Sequence, residues 1–148
     1  TGTERARGAV TGCVIGRLQP SRRDAADLEK GLAAVTGLAP YGTGASVVVA
    51  RAYILAVEAA EGVEALLQRV GALRQWGLRN RRSGVLVRRI ETADDPAAID
   101  RLLGQAAAQG LAGVAVTGSS EAIETYGDAA RMADAHGLFL VTCQKTPG

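Results

Sequence analysis

Residues 84–117 read GVLVRRIETADDPAAIDRLLGQAAAQGLAGVAVT, and the fold class follows from how this stretch divides. Residues 84–87 form a short aliphatic run with the length and β-branched content of a buried strand. Asp95-Pro96 then supplies an N-cap followed by proline at the first helical position, where its missing N–H costs nothing. Behind it Ile99, Leu102, Leu103 and Ala106 recur at helical spacing, and Gly110 provides a stop. A second aliphatic run occupies residues 113–117. Strand, helix and strand in that order make a crossover unit, the connection that parallel strands require.

The pattern extends in both directions. Upstream, Val63, Leu66, Leu67, Val70 and Leu73 share one helical face that runs toward Gly77. Downstream, the turn Thr117-Gly118-Ser119-Ser120 leads to a helix expected over about residues 126–136. Gly137 closes that helix and a strand follows at 138–143. Alternation from residue 62 onward predicts an α/β fold, with a mostly parallel sheet and helices on both faces.

The N-terminal third reads differently. Residues 1–9 are polar and aperiodic, as in a tail or linker, and a single domain is expected over 10–148. An apolar run at 10–15 is a candidate first strand. Ser21 is a good N-cap for a helix carrying Ala25, Leu28, Leu32 and Val35, with Gly37 as its expected stop. Ser46–Ala50 and Tyr53–Val57 are β-rich runs separated only by Arg51-Ala52. Their spacing predicts an antiparallel hairpin, although the turn lacks Asn-Gly or Gly-X chemistry; one longer strand with a bulge is the alternative.

Composition bounds the function classes. Aromatic residues make up 3% of a chain that is 47% hydrophobic, so the core must be aliphatic. A net charge of +2 gives no bulk electrostatic reason to expect a nucleic-acid partner. No apolar run approaches the ~20 residues of a membrane span. Cys13 and Cys143 lie in apolar runs and read as buried reduced thiols, as in a cytoplasmic protein. The single His136 has no neighbour for a metal site. The chain begins at Thr1, and we expect it to be a piece of something longer.

In open α/β sheets, ligands bind beyond the carboxyl ends of the strands. That rule selects the segments around Glu58, Glu61, Gly62 and Glu64, around Arg88 to Asp95, around Thr117 to Ser120, and after Cys143. Glu61 and Glu64 could favour the positive end of a helix or hold a divalent cation beside a phosphate. Arg88 and Arg89 could grip a phosphate, and Asp94 could orient a metal or a water. Each has a bland reading too: Asp95 is a helix cap, Asp94 is solvated, and the arginines flank a strand. Thr117 and Ser119 border a small-residue turn whose amides could approach a phosphate.

The string from Pro20 to Trp76 carries a resemblance. It includes Asp24, Asp27-Leu28 and Gly31-Leu32, then TGASVVV at 43–49, then ILAVEAAEGVEALLQR at 54–69. This is similar to the C-terminal domain of LpxI-type UDP-2,3-diacylglucosamine pyrophosphatases of lipid A biosynthesis, which carries a "GQAVVV … LAVEAxEGTDxMLxR" signature. Residues 82–87, 110–116 and 133–140 also look like that domain's later segments, so the similarity covers nearly all of 10–143.

The resemblance implies a hydrolase that splits UDP-2,3-diacylglucosamine into UMP and the acylated glucosamine 1-phosphate with a divalent metal, Mg²⁺ or Mn²⁺. It implies a cytoplasmic location, with peripheral contact at the inner membrane, and a separate N-terminal domain. On this chain it places catalysis at Asp94 and Arg88, substrate binding at Gly44, Glu61, Gly62, Thr117 and Ser119, and metal binding at Glu64 and Asp94. Departures fall on the loops. The family's "PGQD" is missing between Arg88 and Asp95, Val63-Glu64 replaces "TD", Ala45 replaces the Gln of "GQA", and Thr117 replaces an acidic residue. Strands kept with a rewritten polar edge suggest altered or lost chemistry. The alternative is therefore an inactive nucleotide-, lipid- or protein-binding module, with homodimerisation through the Tyr53–Leu55 strand edge.

Overall fold

The computed structural model describes residues 13–41, 45–73, 82–91 and 95–144. The expected tail at 1–9, Gly44, Gly77 and Asp94 lie outside the described residues.

The described elements, in chain order, are β1 (Cys13–Ile15), α1 (Arg22–Leu38), a 3-10 turn (Ala39–Tyr41), β2 (Ser46–Ala50), β3 (Tyr53–Val57), α2 (Val63–Leu73), β4 (Val85–Ile90), α3 (Pro96–Ala108), β5 (Gly113–Gly118), α4 (Ser120–Glu124), α5 (Ala130–His136) and β6 (Phe139–Gln144). They build a six-stranded sheet in the order β1-β6-β5-β4-β2-β3. The central β4, β5 and β6 are parallel, while β2 is antiparallel to β4 and to β3, and β1 is antiparallel to β6. It follows that β3, β4, β5 and β6 all point the same way, and their carboxyl ends share one edge.

Connections explain the layers. From β3 to β4, β4 to β5 and β5 to β6 the chain steps across the sheet in one lateral direction. Crossovers of a single hand then put their helices on one face. The packing agrees: Leu66, Leu67 and Val70 of α2, Ile99, Leu102, Leu103 and Ala106 of α3, Ala122 of α4 and Ala133 of α5 join Val48, Leu86, Ile90, Val114, Val116 and Leu140 in one core. On the opposite face Leu28 and Val35 of α1 pack with Val47, Val49, Val85, Val87, Ala115, Phe139, Val141 and Cys143. Both faces are thus covered, and each fully buried Val, Leu or Ile contributes about 1.5–3 kcal/mol.

Local chemistry sets the helix starts. Ser21 and Asp24 form a reciprocal capping box at α1, each side chain accepting the other's backbone N–H at 3.1 Å. Asp95 accepts the Ala98 N–H at 2.8 Å and Pro96 opens α3. Two expected boundaries differ. Gly37 does not stop α1, which runs through Leu38 into the 3-10 turn, because Ala39 stays right-handed and its N–H finds Thr36 O. The helix expected over about 126–136 is shorter, starting only at Ala130 as α5, and a separate short helix, α4, precedes it and ends at Glu124 with Thr125 as cap. Gly137, with φ of 72°, closes α5 as anticipated.

The β2–β3 hairpin forms without the usual turn residues. Arg51 and Ala52 take φ of 52° and 71°, the left-handed conformation that a two-residue hairpin turn requires. The hairpin also contains a register shift opposite Val48 and Val49, so hairpin and bulge occur together.

Candidate polar row at the strand exits

Strand register assembles the site. Ser46 of β2 lies opposite Arg88 of β4, Arg88 pairs with Val116 of β5, and Val116 with Thr142 of β6. Period-two alternation puts this whole row on the α2–α5 face, since Val48, Leu86, Val114 and Leu140, two residues away in each strand, all belong to that core. The row lies two residues inside the ends of β4, β5 and β6, where the crossovers leave the sheet. Three of its four members are polar: Ser46 and Thr142 are buried and Arg88 is half-buried, while Val116 within the row and Ile90 beyond Arg88 remain in the aliphatic core.

Beyond β3, Glu58 extends the row. Its N–H donates to Ser46 O at 2.8 Å, and its carboxylate accepts the Ala45 N–H at 3.2 Å. Arg89 N donates to Ala45 O at 2.7 Å. Residues 45–46 are therefore stitched into the ladder from both sides, which fixes Ser46 between Glu58 and Arg88.

The other expected site residues divide by strand parity and by local pairing. Thr117 follows Val116 and so falls on the α1 face, paired in register with Arg89, while Arg88 is on the opposite face. Arg89 forms an ion pair with Glu91. Glu61 pairs with Arg69, whose Nε donates to it at 3.1 Å and whose terminal nitrogen also donates to Val57 O at 3.2 Å. The Arg69 hydrogen bond and charge hold the Glu61 carboxyl below its ordinary range and raise the Arg69 guanidinium in turn. Gly62 takes φ of 92° in the turn into α2. Glu64 accepts from Gln105 of α3 at 3.1 Å. Ser119 caps α4, its hydroxyl accepting the Ala122 N–H at 3.2 Å.

Among the described residues, no three His, Cys, Asp or Glu side chains converge as a metal site would need. Glu58, Glu61 and Glu64 each accept a hydrogen bond from a different protein donor. His136 pairs with Asp100 at 3.0 Å between α5 and α3. Cys143 is buried in the core on the α1 face.

Sequence reasoning missed Ser46 and Thr142. The available signal was Ser46 itself, a hydroxyl opening an otherwise all-aliphatic run; only register reveals that it stands against Arg88.

An open cleft of about 220 Å³ lies between the start of α3 and the α4–α5 segment, lined by Pro96, Ile99, Thr125, Asp128, Ala129 and Met132. That is below the usual size of a small-molecule pocket. Among the described residues, no helix is long and apolar enough to cross a membrane.

Comparison with protein families places residues 11–141 under the model of the LpxI C-terminal domain. A search of curated proteins found none that matches.

Proposed function

Because the chain belongs to the LpxI C-terminal domain family, with a function related to lipid A biosynthesis, we propose that it is the substrate-holding domain of an LpxI-type hydrolase. The substrate class is a nucleotide-linked, acylated sugar pyrophosphate such as UDP-2,3-diacylglucosamine, cleaved to UMP and the acylated sugar 1-phosphate. One observation carries this reading: Arg88 sits at the carboxyl end of a central parallel strand, in a polar row closed by the ladder around Glu58. A guanidinium there can neutralise pyrophosphate charge at the edge where α/β sheets take ligands.

In the proposed arrangement Arg88 orients the phosphate and withdraws negative charge as water attacks phosphorus. Asp94, which follows β4 in the sequence, is the proposed acid–base group. The Glu61–Arg69 pair secures the turn from β3 into α2, and Glu64 ties α2 to α3, so both support the edge that holds the substrate. A supplied N-terminal half is part of the proposal. Incubation with UDP-2,3-diacylglucosamine in Mg²⁺ or Mn²⁺ should release UMP, and the release should be lost in chelator and in Arg88→Ala and Asp94→Ala. Intact substrate under every condition would rule out the hydrolase.

A second reading is a noncatalytic binding module. It is favoured by the engagement of Glu61 and Glu64 in pairs within the protein. Self-association belongs to this reading, because β3 is a sheet edge with Tyr53 69% and Ile54 42% exposed. Binding of UDP without turnover would select it.

A further inference from the structure

Resting on that reading of the strand-exit edge, we propose that Ser46 contacts the ligand directly: its hydroxyl and the Arg88 guanidinium together take one phosphoryl oxygen. Ser46 is 0% exposed, and its Oγ has no hydrogen-bond partner. A buried polar group left unpaired destabilises the fold, and native proteins seldom retain one without use. Nothing in the packing asks for a hydroxyl here. Ser46 opens the run Ser46-Val47-Val48-Val49, the ladder uses only its backbone, and alanine would fill the same strand position.

What the hydroxyl has is a neighbour of suitable chemistry. Residues opposite each other in an antiparallel pair have Cβ atoms about 5 Å apart, and Ser46 stands opposite Arg88. Arginine can only donate, and serine can donate one proton as well as accept. An oxyanion between them would accept from both, whereas a ligand donor would meet the guanidinium's charge. The requirement is therefore a phosphoryl or similar oxyanion. Because Ser46 is fully covered, the oxygen must enter between side chains that now close over it. The contact then reports insertion into the row rather than adsorption to surface arginines.

The test is a calorimetric titration of the chain with UDP, and separately with inorganic pyrophosphate, alongside thermal unfolding without ligand. Ser46→Ala should leave the melting temperature unchanged or higher, since it removes an unpaired hydroxyl, yet weaken binding about ten-fold or more. Ser46→Thr, which restores the hydroxyl, should recover part of the affinity. Equal affinity of wild type and Ser46→Ala would overturn the role of Ser46 while leaving the site intact. A large loss of stability in Ser46→Ala would assign the hydroxyl to the fold and also overturn it. Failure of the wild type to bind either probe would sink the phosphate reading of the whole edge, and the inference with it.

Discussion

The carboxylate of Asp27, on α1 and only 2% exposed, accepts the backbone N–H of Ala52 at 2.9 Å across the sheet edge, and its other oxygen accepts the N–H of Arg51 at 3.1 Å. Lys30, one turn later on α1, donates to Ala52 O. A helix thus clamps a two-residue turn whose residues would otherwise disfavour their left-handed conformation. Asp27→Ala should destabilise the chain by about 2 kcal/mol or more, because two charge-assisted hydrogen bonds are lost. Asp27→Asn, keeping one acceptor oxygen, should cost less. Urea unfolding of the two variants checks the order.

The same turn predicts a stabilising change. Glycine reaches positive φ without a Cβ penalty, so Ala52→Gly should be neutral to about 1 kcal/mol more stable, even though glycine gains freedom in the unfolded chain. A clear loss of stability in chemical denaturation would mean that Asp27 and Lys30 fully offset the strain.

Two glycines should respond in opposite directions. At Gly118, with φ of 154°, an added Cβ would lie 2.1 Å from Ile90 O in the neighbouring parallel strand. Gly118→Ala should therefore cost about 3 kcal/mol or more and distort the exit of β5. At Gly37, inside α1, an added Cβ meets nothing within 4 Å. Gly37→Ala should add about 0.5–1 kcal/mol through helix propensity alone. Thermal midpoints of the pair decide the matter.

Acid should expose the Glu61–Arg69 pair. The Glu61 carboxyl is held below its ordinary value, so any stability it contributes is present above the unfolded-state pKa and is lost as pH falls through the lower folded one. Wild type should exceed Glu61→Gln at neutral pH, with the gap closing below about pH 4, near the ordinary glutamate value. The gap should be small and shrink with salt, because the pair is exposed. Denaturant midpoints against pH provide the measurement, and a gap that persists at low pH would contradict the pairing.

The β3 edge gives a prediction about association. Proposed self-pairing through Tyr53 and Ile54 implies a molar mass that rises with concentration, and Ile54→Lys should return the chain to monomer. Light scattering behind a sizing column measures both, and monomer at every concentration would remove this surface from consideration.

Much of this was legible in the residues. Asp95-Pro96, the spacing of Ile99, Leu102, Leu103 and Ala106, and Gly137 mark starts, faces and stops through backbone chemistry that acts within a few residues. Gly37 misled because a glycine can be a cap or a tolerated helix member, and only the observed right-handed Ala39 distinguishes the two. The break between α4 and α5 was hidden for a similar reason: Tyr126, Ala129 and Ala133 are all buried, so apolar spacing continues through the turn that separates the helices.

The sequence alone thus determined the α/β class, the family resemblance and the edge on which ligands are expected, because periodicity, capping and the strand-end rule are local or topological. The hairpin at 46–57 was one of two readings until the structure showed its turn. Tertiary structure decided which polar residues stand together. Arg88 and Thr117 look like members of one cluster until pairing puts them on opposite faces, and Ser46 looks like a plain strand residue until register sets it against Arg88. Register depends on contacts between segments far apart in the chain, and a shift of one residue would exchange the faces of every side chain in a strand.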